Sequence, residues 1–347
     1  MPFTVEEVVS VMSSIIDFHE RGAPRDNIKQ ARPLSEAMQK SAKSFPGGFQ
    51  FITTPVRGSY TSTLNGYSHD DSNPYRNPAN NKRAAYPWKE LHGGVEITLT
   101  ELKQEGLSIV DSAMNGATKN HSDAELFRLT ENLQQKYYDL KEGTERDFAR
   151  MLILDGTQDP KVFPGLLSFL LGTPSVGVTG GLDRSLNTWW RNRATLSMST
   201  AVPSDMVISR LFQNETRQLS RYAPNWKPRC FAGSAFLDAW EQEMRSKGTI
   251  TMVGWSKSGE LDPSVSDIAP KGLGKFQYDP TFDDLGYSKY AMVIDMDAIQ
   301  LRPMEGEDWK EHNPARPPEK YVVYKARTWT GGMSAKQLNS SGIYSIA

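Results

Sequence analysis

The strongest constraint on the fold is a helical period between Asp123 and Leu154. Leu126, Leu129, Leu133, Tyr137, Leu140, Thr144, Phe148 and Met151 follow one another at spacings of three and four, the period of one helix face. Ser122-Asp123-Ala124-Glu125 opens the run as a capping box, and Asp155-Gly156 with Pro160 stops it. Roughly thirty residues at 1.5 Å each give a rod of about 45 Å. Only one stripe is apolar. The rest carries mixed charge (Arg128, Glu131, Lys136, Asp139, Glu142, Arg146), and Gly143 interrupts any heptad reading. The pattern therefore predicts a single helix lying across one sheet, not a coiled coil.

After the helix, a segment punctuated by Gly165, Gly172, Gly177, Gly180 and Gly181 leads to Trp189-Trp190-Arg191-Asn192-Arg193. Strand alternation there would put Trp190, Ala194, Leu196 and Met198 on one face and Trp189, Arg191 and Arg193 on the other. Trp190 reads as core, and a guanidinium over the Trp189 indole is expected. Before the long helix, Val5 to Phe18 forms an amphipathic stripe. A second short helical pattern follows at Ser35–Ala42, broken by Phe45-Pro46-Gly47-Gly48. Together these pieces read as an arm lying on something else.

Two strand patterns, one ending at Pro55 and Gly58 and the other at residues 90–102, frame a polar, turn-rich insertion from Ser59 to Trp88. Loops longer than about 12–15 residues are usually functional or disordered. This one reads as a protruding hairpin that orders on a neighbouring subunit. Its candidate contacts are Tyr60, Tyr67, Tyr75, Arg76, Tyr86, Trp88 and Lys89. Trp189, Arg191 and Arg193 join them as candidate assembly contacts.

Downstream, a helix is expected from Pro203 with Ile208, Leu211, Phe212, Leu219 and Tyr222 on one side. A strand at Arg229–Ala232 follows, then a helix at Ser234–Met244, strands at Gly248–Trp255 and Tyr290–Asp295, and closing strands from Tyr321 to Ile346. Helices and strands without a βαβ rhythm argue for an α+β fold.

Chemistry is sparse. There is no phosphate-binding glycine loop and no nucleophile elbow, and the five histidines are scattered. His69-Asp70-Asp71 reads as solvated surface. Asp283-Asp284 and Asp295-Met296-Asp297 are the paired carboxylates available for acid–base or metal work. The lone Cys230 reads as a buried thiol, and no run is long enough to span a bilayer. With 40 basic against 41 acidic residues, net charge −1, the chain lacks the basic excess of a dedicated nucleic-acid binder. No cofactor and no metal is expected.

The order of parts resembles the major capsid protein of tailed bacteriophages, the Hong Kong 97-like fold. The resemblance rests on Leu154-Asp155-Gly156-Thr157, Phe163-Pro164-Gly165-Leu166-Leu167, Gly180-Gly181-Leu182-Asp183-Arg184-Ser185 and Trp189-Trp190-Arg191-Asn192, with Tyr321–Ile346 as closing strands. It implies an N-terminal arm (1–47), an extended β-hairpin loop with flanking strands (48–105) and a peripheral domain (106–199) whose spine helix is 123–154. An axial domain (200–296) and return strands of the peripheral domain (297–347) complete it. The family further implies pentamers and hexamers closing into an icosahedral shell around double-stranded DNA, held without sequence-specific binding. The virion would be its location and the host cytoplasm its place of assembly, with no membrane. The arm begins close to Met1, so a separate scaffolding protein is expected, beside a portal and a decoration protein. Some relatives cross-link through a lysine of the extended loop. Lys82 and Lys89 are present here, but no matching asparagine and glutamate is identified, so no cross-link is expected. The rival readings are a bacterial nanocompartment shell on the same fold, enclosing protein cargo, and a metal-dependent hydrolase using Asp295 and Asp297.

Overall fold

The computed structural model describes residues 29–59, 62–72, 75, 81–98, 100, 123–246, 272–312 and 322–347. Within them the chain runs α1 (Pro33–Lys40), β1 (Phe51–Arg57), β2 (Asn81–Pro87), β3 (Lys89–Thr98), α2 (Asp123–Ile153) and the short α3 (Leu166–Phe169). Next come β4 (Val178–Thr179), β5 (Leu182–Asp183), β6 (Arg193–Met198), α4 (Val207–Ser220), β7 (Pro228–Ala232) and α5 (Ser234–Ser246). The chain closes with β8 (Phe276–Tyr278), α6 (Pro280–Asp284), β9 (Tyr290–Asp295), β10 (Ile299–Pro303), β11 (Lys310–His312), β12 (Val322–Ala335) and β13 (Gly342–Ile346). The Val5–Phe18 stripe, Ser122 and the expected strand at 248–255 lie outside the described residues.

The long helix is α2, 31 residues and so about 46 Å. It lies on β3, where Gly93 makes the approach possible: a Cβ there would stand 2.3 Å from Thr144 Cγ2. Its C-terminal half is fixed by an aromatic cluster, the Phe148 ring lying 5.9, 5.1 and 4.9 Å from Phe163, Trp309 and Trp329. Trp329 belongs to β12, the 14-residue strand that organises one sheet. β12 pairs antiparallel with β3 along one edge and with β10 and β11 along the other.

A second sheet has the order β6-β13-β9-β7-β8 and mixed direction. Both of its faces are covered. Phe231, Met292, Ile294 and Ile343 join the larger core with Phe148 and Trp329. Cys230, Ala232, Ala291, Val293 and Tyr344 face a second core built on Phe212, Phe236, Trp240 and Phe276. Residues alternate across a strand, so a strand covered on both sides reads as one unbroken apolar run. That explains the Tyr290–Asp295 sequence.

Several expectations change. The insertion at 59–88, expected to be turn-rich, contains a strand: β2 pairs with β1 in register Phe51↔Pro87 through Arg57↔Asn81. β3 instead joins the β12 sheet. Of the seven β2 residues only Ala84 and Tyr86 are buried, too few to give an alternating signature. The second arm piece is not unpartnered. Leu34 and Met38 of α1 are buried in the main core, the Asp279 carboxylate accepts from the Leu34 N–H at 3.0 Å, and Arg32 pairs with Glu142 and Glu145 of α2. Finally, Thr188–Trp190 is a 3-10 turn, so the tandem tryptophans do not lie on a strand, and β6 begins only at Arg193. Tyr222 falls beyond the end of α4 and is exposed.

Past Gly156, whose φ is +82°, the chain folds back onto the end of α2. A Cβ on Gly165 would stand 2.4, 2.6 and 2.3 Å from the carbonyl oxygens of Met151, Leu152 and Leu154. These are backbone atoms and cannot swing aside. Gly165→Ala should therefore lower unfolding free energy by about 1–3 kcal/mol. Gly143→Ala, placed mid-helix with open space around it, should raise it by about 0.4–1 kcal/mol. Denaturant titration of the two variants beside the parent checks both signs.

Candidate functional site: a hairpin and the groove at its root

The candidate contacts fall at two places. One is the far end of the hairpin. Leu64, Tyr67 and Tyr75 are exposed there at 102%, 70% and 95%, without regular structure apart from a turn. In that turn the Asp71 carboxylate accepts from the Ser68 N–H at 2.8 Å, and His69 Nε2 lies 3.2 Å from Asp70. Tyr60 and Arg76 lie outside the described residues. Three apolar side chains held in water carry an energetic cost that a partner surface would remove.

The other place is the root, and it is rigidly built. Gly180, φ +60°, accepts from the Ala85 N–H at 3.0 Å. A Cβ there would stand 2.9 Å from the Tyr86 ring. Tyr86 is a correction to the list of surface contacts. It is buried, its ring lies 5.5 Å from Phe169, and its hydroxyl donates to the Ala335 carbonyl at 3.0 Å. Burial pushes its pKa well above the ordinary tyrosine value. The β1 side chain of Thr54 donates to the same carbonyl at 3.1 Å, so both strands of the hairpin are tied to the end of β12. Lys82 Nζ donates to Asn187 Oδ1 at 2.7 Å. Trp88 Nε1 donates to the Phe49 carbonyl at 2.8 Å, and Lys89 opens β3 as a half-buried residue.

Beneath the root sits Arg184, fully buried. Its guanidinium donates to Asn192 Oδ1 and the Phe169 carbonyl, each at 2.6 Å, and to Thr179 Oγ1 at 3.0 and 2.8 Å. No carboxylate is among these partners, and burial brings its pKa down to about 10. Trp190 is buried as expected and donates from Nε1 to the Thr179 carbonyl at 3.0 Å. Sequence reasoning quoted Arg184 only within a motif. An arginine in a stretch of glycine, threonine and asparagine carries no signal of burial, and the adjacent Asp183 is taken by the Ser185 N–H and hydroxyl, both at 2.7 Å.

Trp189 is half-buried and lies against Gly58, where a Cβ would overlap the indole at 1.8 Å. The expected guanidinium over that indole is replaced by other contacts. Arg191 donates to the Arg184 and Ser185 carbonyls at 2.8 and 3.1 Å. Arg193 makes a bidentate pair with Glu215 at 2.8 and 2.6 Å, which raises the arginine's pKa. Glu215 is buried and also accepts from the Tyr344 hydroxyl at 3.0 Å. Arg193 is therefore tied to the interior through Glu215, while its own side chain stays 41% exposed beside the groove.

These residues wall an open groove of about 870 Å³ that includes Arg57, Trp189, Arg191, Tyr222, Lys336 and Gln337. Among the described residues its wall carries no carboxylate.

The other chemical candidates are structural. Asp283 accepts from the Ser234 N–H at the start of α5 (3.0 Å) and from the Tyr278 hydroxyl (2.7 Å). Asp284 pairs with Arg146 and Arg150 of α2. Asp297 pairs with Lys227 at 3.0 Å. Asp295 is buried and accepts from the Asp297 N–H at 3.1 Å. Burial pushes the Cys230 thiol up to about 12. Among the described residues no group of three or more His, Cys, Asp or Glu side chains could hold a metal ion, and no helix is long and apolar enough to cross a membrane.

At the level of sequence, no family model and no curated protein matches the chain. At the level of structure, phage capsids do. The capsid asymmetric unit of cyanophage A-1(L) aligns with a TM-score of 0.63 at 8% identity, covering 96% of this chain and 97% of that one. The capsid of cyanophage P-SCSP1u aligns at 0.57 and 10% identity, over 95% and 92%. The capsid of Myoviridae phage XM1 aligns at 0.52 and 10% identity, over 96% and 98%. The α+β fold expected from the order of parts is the fold present. It is the Hong Kong 97-like fold of phage capsid subunits.

Burial raises the Asp295 pKa above its usual carboxylate value. The folded state therefore binds this proton more tightly than the unfolded state, and stability falls as pH rises from the unfolded pKa through the folded one. Asp295→Asn keeps the acceptor for the Asp297 N–H and removes the buried charge. It should match the parent below that window and exceed it at neutral pH, as read by thermal melts across a pH series.

Proposed function

We propose that the chain is the major capsid protein of a tailed bacteriophage, a non-enzymatic shell subunit. The carrying observation is that likeness to capsid subunits runs over nearly the whole of both chains, 96% of this one and 97% of the cyanophage A-1(L) subunit. An isolated shared motif would not produce this. The exposed far end of the hairpin agrees with it, because Leu64, Tyr67 and Tyr75 lack cover within the protomer and a neighbouring copy would supply it.

In this reading residues 1–47 are the N-terminal arm, 48–105 the extended loop and its flanking strands, and 106–199 with 297–347 the peripheral domain, α2 being its spine. Residues 200–296 form the axial domain that meets its copies at the capsomer centre. The five-stranded sheet is then the seam between domains, since β6 and β13 come from the peripheral ranges and β7, β8 and β9 from the axial one. Copies associate as pentamers and hexamers of an icosahedral shell enclosing double-stranded DNA, aided by a separate scaffolding protein, a portal and a decoration protein. The near-balanced charge suits a wall that contains DNA without gripping it. The shell resides in the virion and is assembled in the host cytoplasm. The contacts on this reading are Tyr60, Tyr67, Tyr75, Arg76, Trp88, Lys89, Trp189, Arg191 and Arg193.

Negative-stain electron microscopy of the purified chain, alone and co-expressed with its neighbouring genes, tests this directly. Capsomers or closed shells with nucleic-acid contents are expected. Removal of residues 62–72 should leave the thermal melt within a few degrees of the parent, because that segment contributes no core residue, and should abolish closed shells. Discrete single chains in every condition would overturn the reading. Shells filled with protein cargo would overturn its genome-enclosing part.

A further inference from the structure

The groove at the hairpin root holds more positive charge than the protomer neutralises. Four cations face it: Arg57, Arg191, Arg193 and Lys336. Glu215 neutralises Arg193. Arg57 is held only by a neutral amide, Asn81 Oδ1 at 3.2 Å, and Arg191 only by two carbonyl oxygens. Lys336 is an exposed residue at the end of β12. Partial burial first, then the cations of Arg302 and Lys43, lower its pKa, while Asp297 opposes them. Asp297 is itself shared with Lys227. Among the described residues, three cations thus border one concavity without a carboxylate of their own, between two aromatic side chains, Trp189 and Tyr222.

The dimensions leave far more room than an ion needs, since about 870 Å³ lies toward the upper end of ligand-sized clefts, roughly 300–1,000 Å³, and the groove is open enough to admit side chains from another surface. The chain as a whole is balanced, 40 basic against 41 acidic residues. A local surplus of cations is therefore offset by a surplus of carboxylates elsewhere in the same sequence, from which a second copy could offer a complementary segment. Arg57 and Gly58 are also where β1 ends at the root of the hairpin, so the groove adjoins the element whose far end is exposed.

We propose that the groove seats a carboxylate-bearing segment of a second copy of this chain. Arg57, Arg191 and Lys336 receive its carboxylates, and Trp189 and Tyr222 cover its apolar parts. The inference rests on the capsid-subunit reading and names the partner of its groove. The cation wall and the acidic segment are different surfaces, so the contact is heterologous, the type that closes into rings. Cross-interface charge of this kind acts mainly on association rate and register.

The test co-assembles heavy-nitrogen-labelled and unlabelled chains and treats them with a carbodiimide, which joins an amine and a carboxylate in contact as an amide with loss of water. The expected product links the Lys336 peptide to an aspartate or glutamate peptide of the other isotope. Lys336→Glu should melt like the parent yet assemble at least about tenfold more slowly at low salt, with Lys336→Gln between them. If the parent forms capsomers or shells but Lys336 links only within one isotope, and Lys336→Glu assembles at the parent rate, the groove is not an interface and the proposal is wrong. If the parent forms no assembly under any condition, the capsid-subunit reading fails first and takes the proposal with it.

Discussion

The buried guanidinium of Arg184 is the interaction on which the root of the hairpin depends. Placing a cation out of water is expensive unless its donors are satisfied. Here no carboxylate compensates, and the charge is spread over Thr179, Asn192 and the Phe169 carbonyl. Hydrogen bonds from a charged donor are stronger than neutral ones. They also fix geometry, since a planar fork reaching three separate segments permits few arrangements of them. Asn192, held by Arg184, in turn bonds both the N–H and the carbonyl of Leu171. Thr179 stands one residue before Gly180, on which the hairpin rests. The sealed charge orders a loop with too little apolar surface to order itself.

That loop shows why a glycine-rich stretch can be structural without being flexible. Gly180 needs its positive φ, and it also needs to lack a side chain because Tyr86 occupies the space. Gly58 is bare because Trp189 covers it. Each glycine marks a surface pressed against another, so hairpin, loop and tandem tryptophans behave as one mechanical unit tied through Ala335 to β12. A strand as long as β12 links this unit to the Phe148–Trp329 cluster under α2, and hence to the main core.

What was legible in the sequence follows the strength of the apolar signal. The α2 helix repeats its stripe over eight positions, and β9 is apolar on both faces because it lies between two cores. Both were readable. The β2 strand turns only Ala84 and Tyr86 inward, and its Asn-Lys-Arg start reads as turn, so the strand is hidden within a polar insertion. Tyr86 and Arg193 read as contact residues because an aromatic in a polar stretch and an arginine beside tryptophans give no sign of internal partners. Their partners, Ala335 and Glu215, stand far away in sequence. The close approach at Gly93 was invisible for the same reason, since nothing local announces that Thr144 will lie above it.

This asymmetry has a physical basis that bears on function. A fold is specified by side chains that leave water within one chain, and those carry periodic apolar signals. A surface completed by another copy leaves water only on assembly, so in the single chain it must stay soluble and its residues are mixed. The hairpin end and the basic groove fit that description: exposed aromatics diluted by Asn, Ser and Asp in one, arginines and a lysine held by neutral acceptors in the other. The hairpin end contributes nothing to the two cores, and the cations of the groove stand outside them. Substitutions there should therefore alter association while leaving the protomer folded, whereas changes at Gly165 or Arg184 act on folding first. A chain built this way keeps its stability in two cores joined by one sheet, and on the capsid-subunit proposal its specificity lies at the edges.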